Sequence, residues 1–241
     1  MPQYKRAPIT EAVIEIRVEQ PLARPELERL VQRFRDEYAS SEDFIAYEVR
    51  VNPAERRADF EEQSRGYKLS SADRADVLVV APTHLACSRL APYTGWETFR
   101  RRAETHWRAW KRIIGYRKIS RIGVRFMNRI DIPAARGEPV QIQSYLRVYP
   151  RARAMKRMQS YAMQMEGPLE GDNCRVVINS SSVPSPLVDH ISFVLDIDIS
   201  RQADVPQKDD VIWELIDRIR GYKNQIFEDS ITDKARELFN A

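Results

Sequence analysis

The sequence predicts an α+β protein of two similar halves, 1–118 and 119–241, each an antiparallel sheet backed by helices. Three observations carry that expectation. Short runs of strict apolar–polar alternation recur along the chain, with the period of half-buried strands. Two long segments carry apolar residues at spacings of three and four, the stripe of a helix that covers a sheet. The order strand, helix, several strands, long helix also occurs twice, with opening strands and long helices each offset by about 110 residues. Each stripe needs a sheet to cover, and each sheet has one apolar face, so helix-backed sheets satisfy both.

The first strand is "AVIEIRV". Ala12, Ile14, Ile16 and Val18 share one side, and Val13, Glu15 and Arg17 the other. Pro25 suits the first turn of a helix, with Glu26 and Glu28 in its acidic opening. Leu27, Leu30, Val31, Phe34 and Tyr38 form that helix's stripe. Strands follow at "FIAYEVRV" and at the polar "ADFEEQSRGYKLSS". "DVLVVAP" and "HLACSRL" read as two strands or one bent strand, broken at Pro82. A long helix spans Trp96 to Ile114, with Phe99, Ala103, His106, Trp107, Trp110 and Ile114 on its apolar side and Gly115 closing it.

The second half opens with "RIGVRFMNRIDIP". Ile122, Val124, Phe126, Asn128, Ile130 and Ile132 face inward there. A short helix is expected at "EPVQIQSYLRVY", then strands at "RMQSYAMQMEG", "CRVVINSS" and "DHISFVLDIDIS". The last long helix runs from Asp209 to Glu228, with Val211, Ile212, Leu215, Ile216, Ile219, Ile226 and Phe227 on its stripe. Thr232 is placed to cap a terminal turn, "TDKARELFN". The layout resembles the helix-grip and saddle folds known from tandem repeats.

Composition narrows the function classes. No stretch approaches the roughly 18 consecutive apolar residues of a membrane span. "MPQYKRAPITEAV" lacks the apolar core of a secretory signal, so a cytoplasmic protein is expected. Cys87 and Cys174 are read as buried free thiols in strands, with a bridge between them as the alternative. His84, His106 and His190 have no metal-ligand spacing, and no cofactor is implied. Net charge is only +4, so the distribution of charge matters more than its total.

Three segments, "YKRAPITEAVIEIRV", "ISRIGVRFMNRIDIP" and "YKNQIFEDSITDKARELF", resemble in content and order a sporadically distributed family of uncharacterised bacterial proteins. The resemblance spans the chain and implies one full-length unit. It brings no established activity and no catalytic residues. Pro8, Glu11, Arg121, Gly123, Arg125, Asn128, Arg129, Asp229, Thr232 and Phe239 lie in the matching segments.

The central strand carries the leading candidate site. Arg121, Arg125 and Arg129 share one of its faces with Gly123, which leaves room for close approach. From Gly95 to Arg129, eleven basic residues stand against Glu97 and Glu104. "RVYPRARAMKR" adds Arg147, Arg151, Arg153, Lys156 and Arg157 with no acid. Guanidinium groups suit bidentate contacts to phosphate or carboxylate. The opposing reading pairs them with acidic segments: "ADFEEQ", and Asp189 to Asp217 with eight acids against two bases. Tyr145, Tyr149 and Tyr161 lie near the second basic run and could stack on bases, with core packing expected for at least two. Asp196 and Asp198 share a strand face, where they suit a divalent cation, acid–base chemistry or cross-strand pairing with the arginines.

Other motifs carry little. The serines of "NSSSVPSP" lack a nucleophile elbow, and "GPLEG" lacks phosphate-loop spacing. Cys87 and His84, three residues apart, fall on opposite faces of a strand. Met155, Met158, Met163 and Met165 read as packing residues. The expected function is that of a bacterial cytoplasmic binding or interaction protein recognising an anionic ligand or partner. Arg121, Arg125, Arg129, Arg153, Lys156 and Arg157 are the anion-binding candidates. The partner is another protein or a second copy of the chain, and not a membrane. Nucleic acid is the alternative ligand. An enzyme with Asp196, Asp198 and arginines acting on a phosphorylated or carboxylated substrate is the remaining alternative.

Overall fold

The computed structural model describes residues 4–52, 57–134, 140–151 and 158–240, with side chains described outside 46–64. The elements run β1 (Ile9–Val18), α1 (Arg24–Phe34), β2 (Ser40–Asn52), β3 (Arg57–Ser70), β4 (Asp76–Ala81), β5 (His84–Leu90) and α2 (Trp96–Ile114). They continue as β6 (Ile119–Pro133), β7 (Ala162–Leu169), β8 (Cys174–Val183), β9 (His190–Arg201), α3 (Asp209–Ser230) and α4 (Asp233–Asn240). The fold is α+β. Among the described residues, nine strands hydrogen-bond in the order β2-β3-β4-β5-β1-β6-β9-β8-β7. The β2·β3, β3·β4, β4·β5, β6·β9, β7·β8 and β8·β9 ladders are antiparallel. Two compact units make up the chain. Ile14–Leu90 with Thr94–Arg121 form the α1–α2 unit, and Met1–Val13, Ala91–Tyr93 and Ile122–Ala241 the α3–α4 unit.

In the α1–α2 unit, period-two alternation gives one sheet face Ile14, Ile16, Val18, Leu69, Leu78, Val80 and Leu85, all buried. Leu27, Leu30 and Phe34 of α1 and Phe99, Ala103, Trp107 and Trp110 of α2 are buried with them. Trp107 and Trp110 stack at 4.8 Å between centroids, and each fully buried large apolar side chain contributes on the order of 2 kcal/mol. The α1 entry is half of a capping box, in which the Ala23 N–H donates to Glu26 Oε2 at 2.9 Å. The α1 helix stops at Phe34, earlier than its stripe implies, yet Tyr38 beyond the closing turn is still buried. Gly115 ends α2 with φ +81°, its N–H donating to Lys111 O at 2.8 Å.

In the α3–α4 unit, the inner face is built in rows across three strands. Val124, Ile199 and Val176 form one row, Phe126, Ile197 and Ile178 the next, and Asn128, Leu195 and Ser180 a third. Ile212, Leu215, Ile216, Ile219 and Phe227 of α3 and Ala235 and Phe239 of α4 are buried in the same unit. The third row carries its own polar partners. Asn128 Nδ2 donates to Leu195 O at 3.0 Å, and Ser180 Oγ to Val148 O at 2.9 Å. Val211, expected on the α3 stripe, is exposed, whereas Trp213 is buried.

The helix expected at "EPVQIQSYLRVY" reduces among its described residues to a 3₁₀ turn, Ile142–Ser144. Tertiary contacts prevail over local pattern here: Leu146 forms an isolated bridge to Ile231, and the Thr232 N–H donates to Tyr145 O at 3.0 Å. The expected terminal turn is instead the eight-residue helix α4. Thr232 Oγ1 accepts the Ala235 N–H at 3.4 Å while donating to Ser144 O at 2.5 Å. Both cysteines are buried and free.

Candidate functional site

The candidate residues of the α3–α4 unit lie on the outer face of β6, β9 and β8, opposite the helix-covered rows. Antiparallel register sets Arg125 across from Asp198, Met127 from Asp196, Arg129 from Val194 and Asp131 from Ser192. On the far side of β9, Asp198 pairs with Val177 and Asp196 with Asn179. Strand alternation therefore brings Arg125, Arg129, Asp131, Asn179, Asp196 and Asp198 to one face.

The centre of this face is an ion pair. Arg125 Nε donates to Asp196 Oδ1 at 2.8 Å and Nη2 to Asp196 Oδ2 at 2.7 Å. The pairing is diagonal, because the residue directly opposite Arg125 is Asp198. Asn179 Nδ2 adds a third donor, to Asp196 Oδ2 at 3.0 Å. Both oxygens of Asp196 are thus committed to holding the arginine. The side chain of Asp196 is 5% exposed, and that of Arg125 is 47% exposed. A buried carboxylate fixes the plane of a guanidinium whose other edge meets solvent. The hydrogen-bonded Asp196 carboxylate shifts Arg125 above its already high ordinary value against the cost of burial, with Asp198 and Glu11 adding to the field.

The neighbouring arginines are engaged as well. Arg129 Nε donates to Asp131 at 3.0 and 3.2 Å, and Ser192 Oγ donates to Asp131 Oδ1 at 2.5 Å. Arg121 belongs to the α1–α2 unit, where it pairs with Glu15, which also accepts from Arg17 Nε at 2.7 Å. Burial alone would raise the Glu15 carboxyl, but Arg17 and Arg121 together hold it below its ordinary range. Much of the basic stretch from Gly95 onward is paired in the same way. Arg100 and Arg108 hold Glu104 at 2.8 and 3.0 Å, Arg117 holds Glu26 at 3.0 Å, and Lys118 holds Glu19 at 2.7 Å. Arg153, Lys156, Arg157 and Met155 lie outside the described residues.

Around Arg125 the balance of charge is acidic. Arg125 and Arg129 stand against Glu11, Asp131, Asp196 and Asp198. Such a face repels a polyanion and favours a mixed-charge counterpart. Among the described residues, no group of three or more His, Cys, Asp and Glu side chains is arranged to hold a metal ion. No helix in them is long and apolar enough to cross a membrane. Of the three tyrosines near the second basic run, Tyr145 is buried and Tyr161 stacks on Phe193 at 5.9 Å. Tyr149 lies under the guanidinium of exposed Arg151 at 5.2 Å.

Two features went unread in the sequence. Asn179 gives no local signal, since only the β8·β9 register brings it to Asp196. Lys223 did give one, because it continues the three-and-four spacing of Ile216, Ile219 and Phe227 on α3. It is 4% exposed, with Nζ 3.9 Å from the centroid of Phe126. Burial brings its pKa down to about 7, helped by Arg220 and opposed by Glu228.

No protein-family model matches the chain. The search of curated proteins returned no match either.

Proposed function

We propose that this chain is a bacterial cytoplasmic binding protein that docks another protein on the outer face of β6, β9 and β8. The single observation behind this reading is the exposure contrast in the central pair: a buried Asp196 holding a half-exposed Arg125. A guanidinium fixed in this way offers its outer N–H groups at little further cost in side-chain entropy, which is what an interface anchor needs. Asp198, on the same face and across from Arg125, adds to the negative field around the guanidinium. The partner is therefore a mixed-charge protein surface, with a carboxylate or carbonyl for Arg125 and basic side chains for the acidic surroundings of that guanidinium.

The repeated element order supports reading the chain as an internal duplication. In that reading, β1 and β6, beginning at Ile9 and Ile119, are equivalent strands, and α2 and α3 equivalent helices. The bacterial part of the proposal rests on the resemblance of the three segments, and the cytoplasmic part on the free thiols Cys87 and Cys174.

The test is affinity capture from host extract with wild type, Arg125→Ala and Asp198→Asn, read by quantitative mass spectrometry. A partner recovered by wild type and depleted at least about tenfold by both variants is expected, since hot-spot losses of 1–2 kcal/mol or more are typical of such anchors. Equal recovery by all three removes the proposal. A parallel fluorescence titration with single-stranded DNA and RNA across a salt series is expected to be weak. Tight binding that falls steeply with salt would instead favour nucleic acid, through the run from Arg147 onward.

A further inference from the structure

The sheet of the α3–α4 unit ends at β7, with an edge that partner docking on the outer face does not use. β7 pairs with β8 and is last in the strand order. Just before it, the Ser182 N–H donates to Tyr161 O at 3.0 Å, in the register of the β7·β8 ladder. Backbone bonding alternates along an antiparallel strand, so Met163, Met165, Gly167 and Leu169 point their backbone groups at β8. Ala162, Gln164, Glu166 and Pro168 point theirs off the sheet. Pro168 fits that phase, since a proline in a sheet turns its missing N–H to the open edge. Among the described residues, no hydrogen bond reaches the outward N–H and C=O groups of Ala162, Gln164 and Glu166. Such a row is a template for another strand.

A second observation concerns side chains. The inner apolar face runs uncovered to this edge. Register places Met165 beside Ile178 and Met163 beside Ser180, so the two methionines extend the Phe126 and Asn128 rows. Along the Phe126 row, cover is lost step by step. Phe126 and Ile197 are fully buried, Ile178 is half-buried, and Met165 is 40% exposed. On the other side of the strand, Ala162, Gln164 and Glu166 are exposed. Edges that stay apart in solution are guarded by charges or a bulge. Here the register is continuous, and the only charged side chain from Ala162 to Glu166 is that of Glu166, which is already paired with Arg175 of β8.

We propose that β7 is a self-association edge, pairing antiparallel with β7 of a second copy of the chain about a two-fold axis at Gln164. The run Ala-Met-Gln-Met-Glu, Ala162 to Glu166, is nearly palindromic, as an isologous contact requires. In this register Gln164 faces Gln164 of the partner subunit, Ala162 faces Glu166 of the partner subunit, and Met163 faces Met165 of the partner subunit. The outward groups then form about six backbone hydrogen bonds, two for each bonded pair. The methionines of both copies close the uncovered ends of the inner rows. Chemistry selects this register. A shift of two residues one way sets Glu166 against Glu166 of the partner subunit, a like-charge pair, and brings Pro168 into the ladder. The opposite shift sets Met165 against Gln159 of the partner subunit and loses the methionine contact. The axis is perpendicular to the sheet, so the outer faces of β6, β9 and β8 in both copies turn to the same side, and the pairing does not depend on what docks there.

The test uses the full chain. Sedimentation velocity over a concentration series is expected to show a reversible monomer–dimer equilibrium in the micromolar range. Gln164→Pro removes one outward donor from each copy and spares the β7·β8 ladder, because that N–H does not point at β8. It should raise the dimer dissociation constant on the order of tenfold or more, with the circular dichroism spectrum unchanged. Disulfide trapping reads the register. Gln164→Cys sets two thiols across the axis with Cα atoms about 5.5 Å apart, within disulfide range, and should crosslink under mild oxidation. Glu166→Cys sets them about 13 Å apart and should not crosslink alone, but should do so when mixed with Ala162→Cys. The native thiols Cys87 and Cys174 are buried, and wild type treated in the same way is the control for them. A monomer at every concentration, a dimer unaffected by Gln164→Pro, or Glu166→Cys crosslinking alone as readily as Gln164→Cys overturns the proposal. So does a monomer whose edge is filled by a strand of a different protein.

Discussion

Replacing Arg125 with alanine strands Asp196. The carboxylate is 5% exposed and would keep the Asn179 amide at 3.0 Å but lose its bidentate cation. Removing one member of a fully buried pair costs about 3–5 kcal/mol. Arg125 is 47% exposed, and its departure admits water to the carboxylate, so the discounted expectation is about 2 kcal/mol. With a urea slope near 2 kcal/mol per molar, the midpoint falls by about 1 M. Asp196→Asn keeps the shape and leaves the half-exposed guanidinium to hydrate, which costs about 1 kcal/mol. The double variant strands no carboxylate, so its cost should fall short of the sum by about 1 kcal/mol. Urea unfolding followed by far-ultraviolet circular dichroism measures all four proteins. Additive effects, or an Arg125→Ala cost below about 0.5 kcal/mol, would refute a structural coupling between the two residues.

Lys223→Met removes a buried amine from beside Phe126 and should stabilise the α3–α4 unit near neutral pH by about 1–2 kcal/mol. The folded pKa, about 7, lies below the unfolded value of 10.5, so the wild-type contribution is present above 10.5 and lost as pH falls toward 7. The advantage of the methionine variant should accordingly narrow as pH rises from 7 to 9, by at most about 1.4 kcal/mol per pH unit, and denaturation at both pH values checks this. Gly66→Ala would set a Cβ 2.3 Å from Val80 O and 2.8 Å from Ala81 Cα, both backbone, so β3 and β4 must separate. A loss of at least about 2 kcal/mol, or failure to fold, is expected by thermal unfolding. His106 is shifted below its ordinary range chiefly by burial, against the pull of Glu37. NMR titration should place its midpoint below that of an unfolded peptide, and lower still in Glu37→Gln. The linked stability is present above the unfolded value of 6.5 and lost as pH falls through the folded one.

Periodicity made most of the architecture legible. The alternation of Ile122, Val124, Phe126, Ile130 and Ile132 marked the inner face of β6, and the stripes of α1 and α2 marked what covers a sheet. It failed where contacts distant in sequence decide. "EPVQIQSYLRVY" has a helical pattern, but Leu146 is taken by the bridge to Ile231. The candidate face was legible in composition but not in pairing. Arg125 and Asp196 are 71 residues apart, and only the β6·β9 register shows that the guanidinium reaches diagonally past Asp198. Cys87 was weighed against His84, its neighbour in sequence, while the histidine that meets it is His106, 19 residues away on α2. Strand alternation can separate two faces, but it cannot say which helix residue covers a given strand position.

Site-specific photo-crosslinking tests the docking claim most directly. A benzophenone amino acid at Met127 sits on the outer face between Arg125 and Arg129, and one at Val211 sits on the exposed side of α3. Irradiation in host cells should give a discrete adduct with one protein from position 127, none from position 211, and loss of the adduct when Asp198→Asn is added. No adduct from position 127, or the same adducts from both positions, would contradict the assignment of this face to a partner.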